Sequence, residues 1–285
     1  MKQKILILGA NGMLGHDLAE VFSSYKPILW DQEDLDITNQ KAVEKKLNDL
    51  KPTVVINAAA YTNVDGAEED KETAFKVNAD AVGYIASACQ NLGAILVQIS
   101  TEYVFDGQNQ DGYTEDSKTN PLNVYGQSKA KGEELLKENC EMYYLIRTCW
   151  LYGKAPQIGK PRGLNFVETM LKLAGEKDEI KVVNDQFGKP TYTRDLALGI
   201  KKIIEDQKPC GTYHVTNYSV CSWYDFAKEI FKLKNINIKL TAVDSNTCPI
   251  KGRVKALRPK YGILINTKLE PLRNWQEALK DYLKG

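Results

Sequence analysis

Along the first half of the chain, apolar residues come in short unbroken runs, each followed by a stretch with helical spacing. Residues 4–8, 27–30, 53–57, 94–99 and 143–147 form five such runs. A strand covered by helices on both faces has no solvated side, so it need not alternate apolar with polar positions. Between the runs, residues 40–50, 73–92 and 124–139 carry helical patterns. Asp36 or Thr38 is placed to cap the first of these helices, and Gly93 to end the second. Strand–helix alternation with short links implies right-handed crossovers and a doubly wound parallel sheet, the α/β Rossmann class.

The texture changes after Trp150. Residues 153–163 are rich in glycine, proline and cations. They read as an exposed loop that is either a lid over a ligand or a solvated insertion. Beyond it the pattern predicts a helix over 165–174, a strand over 180–183, a helix near 195–204, a strand over 212–215 and a last helix ending near Leu283. The expected organisation is a dinucleotide-binding domain over 1–150, to which segments near 180–205 return. A smaller, partly interleaved C-terminal substrate lobe covers 151–285.

Composition narrows the classes. The chain has 285 residues, 43% hydrophobic and 26% charged, enough for a sizeable buried core. Basic and acidic residues number 38 and 37, so no excess charge selects a nucleic-acid partner. No apolar run approaches the ~20 residues of a membrane helix, and the start runs directly into a strand pattern, so neither a membrane span nor a cleavable leader is expected. The six cysteines lack C-x-x-C spacing and there are only two histidines. That argues against zinc and for free thiols in a cytoplasmic protein.

Chemistry enters first at Gly9, Asn11, Gly12, Met13, Leu14 and Gly15, between the first strand and the first helix. Glycines there let the backbone turn tightly and approach a pyrophosphate, whose charge meets the helix N-terminus. An acidic residue after the second strand suits the ribose hydroxyls of NAD. Asp31 holds that place with no arginine nearby, which tilts the choice between NADH and NADPH towards NADH; Asp36 and Ile37 are better placed for the adenine edge.

Tyr125 and Lys129 lie four residues apart on the helix predicted over 124–139, and so share a face. A free phenol with a pKa of ~10 is a poor proton donor or acceptor at neutral pH, and a neighbouring ammonium is expected to bring it down. The fourth strand ends in Ser100 and Thr101, at its carboxyl end, where doubly wound sheets bind ligands. Thr101 is thereby placed to hydrogen-bond a substrate carbonyl. Trp150, after the fifth strand, is placed to pack on a sugar or a base.

Several segments carry a resemblance: the glycine loop, residues 55–62, 100–105, 121–126, 147–152 and 184–191, then Arg258-Pro259 and residues 266–269. Over nearly its whole length the chain resembles the extended short-chain dehydrogenases, and within them the dTDP-4-dehydrorhamnose reductase family. The resemblance implies that Ala59, Ala60, Tyr61 and Thr62 line the cofactor beside Gly12, Met13, Leu14, Asp31, Asp36 and Ile37. It implies substrate contacts from Thr101, Glu102, Trp150, Gln186 and Arg258, and a dTDP-linked keto sugar as substrate for a monomer or homodimer. The expected reaction is NAD(P)H-dependent reduction of a C4 keto group. Alternatives are a nucleotide-sugar epimerase or dehydratase, or a non-catalytic regulatory subunit on the same fold. Glu102 stands where the family usually has aspartate. Some members bind magnesium through glutamates at a dimer contact; only Asp17 lies near that place, so no metal is expected.

Overall fold

A computed structural model describes residues 3–158, 163–246 and 256–284. Residues 159–162 of the glycine- and proline-rich loop, and Cys248, lie outside the described residues. The first half alternates β1 (Ile5–Leu8), α1 (Met13–Val21), β2 (Ile28–Trp30), α2 (Gln40–Leu50) and β3 (Val54–Asn57). Then come α3 (Val64–Glu69), α4 (Lys71–Phe75), a π-helical turn (Lys76–Asp80), α5 (Ala81–Leu92) and β4 (Ile95–Thr101). A 3₁₀ turn (Glu102–Val104), α6 (Val124–Asn139) and β5 (Tyr143–Thr148) complete it. The predicted helices over 40–50 and 124–139 have the observed bounds. The helix predicted over 73–92 is broken by the π-helical turn, and Gly93 closes α5 in the left-handed conformation at φ 63°. Asn39, rather than Asp36 or Thr38, caps α2: its side chain accepts from Ala42 N at 3.1 Å, whereas Asp36 is turned onto Thr38.

The second half contributes β6 (Leu151–Tyr152), α7 (Phe166–Glu176), β7 (Glu179–Val183), β8 (Phe187–Gly188), β9 (Thr191–Tyr192) and α8 (Thr193–Glu205). These are followed by β10 (Gly211–His214), β11 (Cys221–Ser222), α9 (Trp223–Leu233), β12 (Lys239–Val243) and α10 (Trp275–Lys284). The central sheet has the order β10-β5-β4-β3-β1-β2, with every pairing parallel. One apolar cluster packs α1 and α8 on one face, including Leu14, Leu18, Ile200 and Ile203. Another packs α2, α5 and α6 on the other, including Val43, Ile85 and Leu136. The central strands are therefore buried on both faces, which is why their sequences run apolar without alternation.

Of the segments near 180–205, only the helix meets the sheet. The strand predicted over 180–183 pairs instead with β12, in a separate two-stranded sheet. A third cluster, built on Tyr152, Phe226, Ile230 and Trp275, forms a core for α7, α9 and α10. No described helix is long and apolar enough to cross a membrane.

Candidate active site

The glycine loop is shaped by close backbone approaches. Gly9 has φ +74°, and a Cβ on it would lie 2.7 Å from Ala59 N; a Cβ on Gly15 would lie 2.1 Å from the Gly9 carbonyl oxygen. Any side chain at either place would fill the cradle or push the β3 end away. Gly12 is the N-cap of α1 and supplies no capping side chain, so the first turn of the helix faces the loop without a side-chain acceptor. These are the features an approaching pyrophosphate requires, so the residues present fit a dinucleotide. Asp31 braces the loop: Oδ2 accepts from Asn11 N at 2.9 Å and Oδ1 from Gln32 N at 2.8 Å. Met13 and Leu14 are buried at the start of α1, and Ile37 is buried beyond β2. Asp36 stays exposed, its carboxyl held below the usual range by the Thr38 hydroxyl and backbone.

The opposite wall of the cradle is the β3 end. Ala59 N donates to Asn57 Oδ1 at 3.2 Å, and Asn57 is tied to Gln98 by a buried 2.8 Å bond. Tyr61 is gripped at both backbone groups by Asn78: Tyr61 N donates to Asn78 Oδ1 at 2.9 Å, and Asn78 Nδ2 donates to Tyr61 O at 3.0 Å. The same Nδ2 reaches Ser128 Oγ at 3.0 Å, and Ser128 donates to Tyr125 O at 2.7 Å. Asn78 sits in the π-helical turn, a deformation that re-aims a side chain and recurs at functional sites. Sequence reasoning missed it; the available signal was an asparagine on the apolar face of a predicted helix. Thr62 Oγ1 reaches Ile158 O at 3.3 Å, so the stem of the 153–163 loop touches this wall.

Thr101, Tyr125 and Lys129 are brought together by two elements. Thr101 ends β4, and its Oγ1 donates to Glu102 Oε2 at 2.7 Å while accepting from Tyr103 N at 3.2 Å. Helix α6 starts beside it: Asn123 caps Gly126 N at 2.7 Å, and a Cβ on Gly126 would lie 2.2 Å from Tyr103 O. This contact seats Tyr125 against Tyr103, ring centroids 5.4 Å apart and nearly perpendicular, with its phenol beside Thr101. Lys129 is buried, and its Nζ donates to Ile99 O at 2.7 Å.

The electrostatics correct one expectation. Burial, and then the Glu102 carboxyl and Tyr103, hold the Tyr125 phenol above its usual range; Lys129 is not among the groups that set it. The reason is that the Lys129 ammonium is itself drawn off onto the Ile99 carbonyl and weakened by burial, which brings it down to about 8 against the pull of Glu133. Glu102 is only 3% exposed, and burial pushes its carboxyl up to about 7.

The remaining predicted contacts gather through the C-terminal segment. Gly262 N donates to Phe187 O at 2.8 Å, next to buried Gln186. A Cβ on Gly262 would lie 2.9 Å from Glu102 Cγ. Arg258 pairs with Asp65 of α3 at 2.8 Å and lies beside Tyr103, so its charge is already engaged within the protein. Trp150 occupies the left-handed region at φ 47° and stacks on Trp223 with centroids 3.5 Å apart at 11°. Trp223 was not foreseen, because nothing local in the sequence links it to Trp150.

Apart from this site, His16, Asp17 and Glu20 on α1 bring ligand atoms within 4.8 Å of one another. Both carboxylates already have protein partners: Asp17 accepts from Thr193, and Glu20 pairs with Arg194 at 2.8 Å.

Residues 3–285 match the family described as the RmlD substrate binding domain. The chain belongs to that family. The spore coat polysaccharide biosynthesis protein SpsK of Bacillus subtilis is 39% identical, the match covering 99% of this chain and 97% of that protein. A dTDP-4-dehydrorhamnose reductase from Clostridium acetobutylicum, solved as a crystal structure, is 44% identical with a TM-score of 0.91, over 99% of both chains. The structure of a dTDP-4-dehydrorhamnose reductase from Bacillus anthracis in complex with NADP is 40% identical with a TM-score of 0.92, over 100% of this chain and 99% of that one. The extended short-chain dehydrogenase resemblance and the doubly wound α/β class are thereby established for this member of the RmlD family.

Proposed function

We propose that the protein uses NAD(P)H to reduce the C4 keto group of dTDP-4-dehydro-L-rhamnose, giving dTDP-L-rhamnose, as a cytoplasmic monomer or homodimer. The observation that carries this reading is the convergence of Thr101, Tyr125 and Lys129 beside a glycine cradle that accommodates a dinucleotide. NAD(P)H, when bound, supplies the hydride. The protein's own part is to orient the carbonyl and to deliver a proton. Thr101 and Tyr125 present neighbouring hydroxyls to the keto oxygen. A phenol held above its usual range keeps its proton at neutral pH until an alkoxide forms, which suits a donor in the reducing direction. Lys129, one turn further along α6 with its Nζ on the Ile99 carbonyl, would hold the cofactor's nicotinamide ribose and so fix the ring that carries the hydride. A dehydratase needs two acid–base groups at this place; Thr101 is followed by one carboxylate, Glu102, and then by Tyr103.

The test is oxidation of NADH or NADPH followed by loss of nicotinamide absorbance across a panel of nucleotide-linked keto sugars. Tyr125→Phe is expected to lower kcat by about 10²–10⁴. Turnover by Tyr125→Phe at the wild-type rate would remove the assigned proton donor.

A further inference from the structure

The Thr101 hydroxyl has one proton, and in this structure that proton is spent on Glu102 Oε2 at 2.7 Å. Its oxygen accepts from Tyr103 N and keeps a second lone pair open. A hydroxyl so placed cannot also donate to a substrate carbonyl. The charged acceptor wins that competition, because a hydrogen bond to a carboxylate in a buried site is roughly twice as strong as one to a neutral oxygen. Little solvent competes for that carboxylate: Glu102 is 3% exposed, Gly262 passes close to its Cγ, and Cys149 lies beside it.

We propose that Glu102 is a positioning residue that switches the Thr101 hydroxyl between two donor states. As a carboxylate it takes the Thr101 proton. As a carboxylic acid it donates to Thr101 Oγ1, and the Thr101 proton is free for the keto oxygen. The inference rests on the keto-sugar reductase reading and adds to it a control on the carbonyl-orienting hydroxyl.

The surroundings leave Glu102 as the group that changes state near neutrality. From the 3₁₀ turn Tyr103 faces it, from α6 Tyr125, and from the β5–β6 link Cys149. All three are held above their ordinary values, so all three stay neutral there. From the C-terminal segment it meets Gly262, whose carbonyl accepts from Cys149 Sγ. Among the described residues, two cations stand one group further off: Lys189, whose backbone N–H contacts Cys149, and Arg258, beside Tyr103. Burial places the Glu102 carboxyl at about 7, where both donor states are populated at working pH.

The experiment is the pH profile of kcat for wild type and Glu102→Gln with NADPH and the keto sugar, alongside an infrared titration of the carboxyl stretch. Wild-type kcat is expected to fall above pH of about 7, about tenfold per pH unit. In Glu102→Gln the amide N–H replaces the acid proton, so that limb vanishes. The first fall then comes where Lys129 deprotonates, at about 8. Should Glu102→Gln not fold, Glu102→Met, of similar shape and without an ionisable group, is expected to lose the same limb. The infrared titration needs no turnover: a protonated carboxyl band should appear in wild type as pH drops through the limb and be missing in both variants. A limb unchanged in either variant, or a wild-type carboxyl that stays ionised down to the usual glutamate range, overturns the proposal. Turnover with the limb unchanged would leave the reductase reading intact, whereas no turnover of any keto sugar by wild type would end that reading alone.

Discussion

Replacing Glu133 by alanine removes one half of an ion pair that clamps α6 to the sheet. Glu133 lies one turn after Lys129 on α6 and is 3% exposed; Arg147 on β5 is 2% exposed. Arg147 Nε meets Oε1 at 3.0 Å and Nη2 meets Oε2 at 2.6 Å, a two-pronged arrangement completed by Ser100 Oγ donating to Oε1 at 2.6 Å. Without the carboxylate, the guanidinium keeps, among the described residues, the Glu115 carbonyl at 3.2 Å, the His214 ring at 3.4 Å and the face of Phe105 at 5.0 Å. A buried cation left so costs about 3–5 kcal/mol, and the orphaned Ser100 hydroxyl about 1 kcal/mol more. Against a domain stability of about 5–15 kcal/mol the loss is large. Urea unfolding should show the midpoint shifted down with an unchanged slope. The companion variant Glu133→Leu with Arg147→Met removes both charges, and is expected to recover most of the loss. A single variant within about 1 kcal/mol of wild type, or a double variant as unstable as the single, would refute the reasoning.

Asn78→Ala leaves the Tyr61 N–H and C=O without their partner and loosens the β3 side of the cofactor cradle. The expected result is a Kd for NADPH raised about tenfold, with about 1–3 kcal/mol lost in stability; unchanged cofactor affinity by fluorescence titration counts against the bracing role. His214, fully buried beside Arg147, is held down to about 3 by burial and that cation. Its folded pKa lies below the unfolded value, so the unfolded chain binds the extra proton; the histidine's contribution is complete above about 6.5 and is lost as pH falls towards about 3. Wild type should therefore lose about 1.4 kcal/mol more per pH unit than His214→Gln between roughly pH 6 and 4, and parallel stability curves would exclude the effect. Taking the difference between the two proteins matters, because Glu102, with a raised pKa, acts in the opposite direction over the same interval.

What the sequence revealed and what it hid separate by the range of the interactions involved. Helix α6 was legible to its ends because its determinants are local: an asparagine cap at Asn123 and a proline-free run that continues to the strand after it. The buried strands were legible for the same reason, since double coverage by helices erases alternation within each run. The break in the helix over 73–92 was not, because the π-helical turn answers to contacts from other elements. A Cβ on Gly132 of α6 would lie 2.1 Å from Asn78 O, and Asn78 reaches across to Tyr61. The two-residue strands of the C-terminal lobe, and the pairing of β7 with β12 instead of the central sheet, likewise depend on partners far along the chain. At the site, residue identities were readable but charge states were not. A tyrosine and a lysine four apart on a helix suggested an ammonium that lowers a phenol. Burial and the Ile99 carbonyl reverse the order of effects, leaving a proton-holding tyrosine and a weakened lysine. Glu102 shows the same thing more sharply. Its extra methylene over aspartate was visible in the sequence, but its hold on the Thr101 proton depends on Gly262, more than a hundred residues away, closing over it.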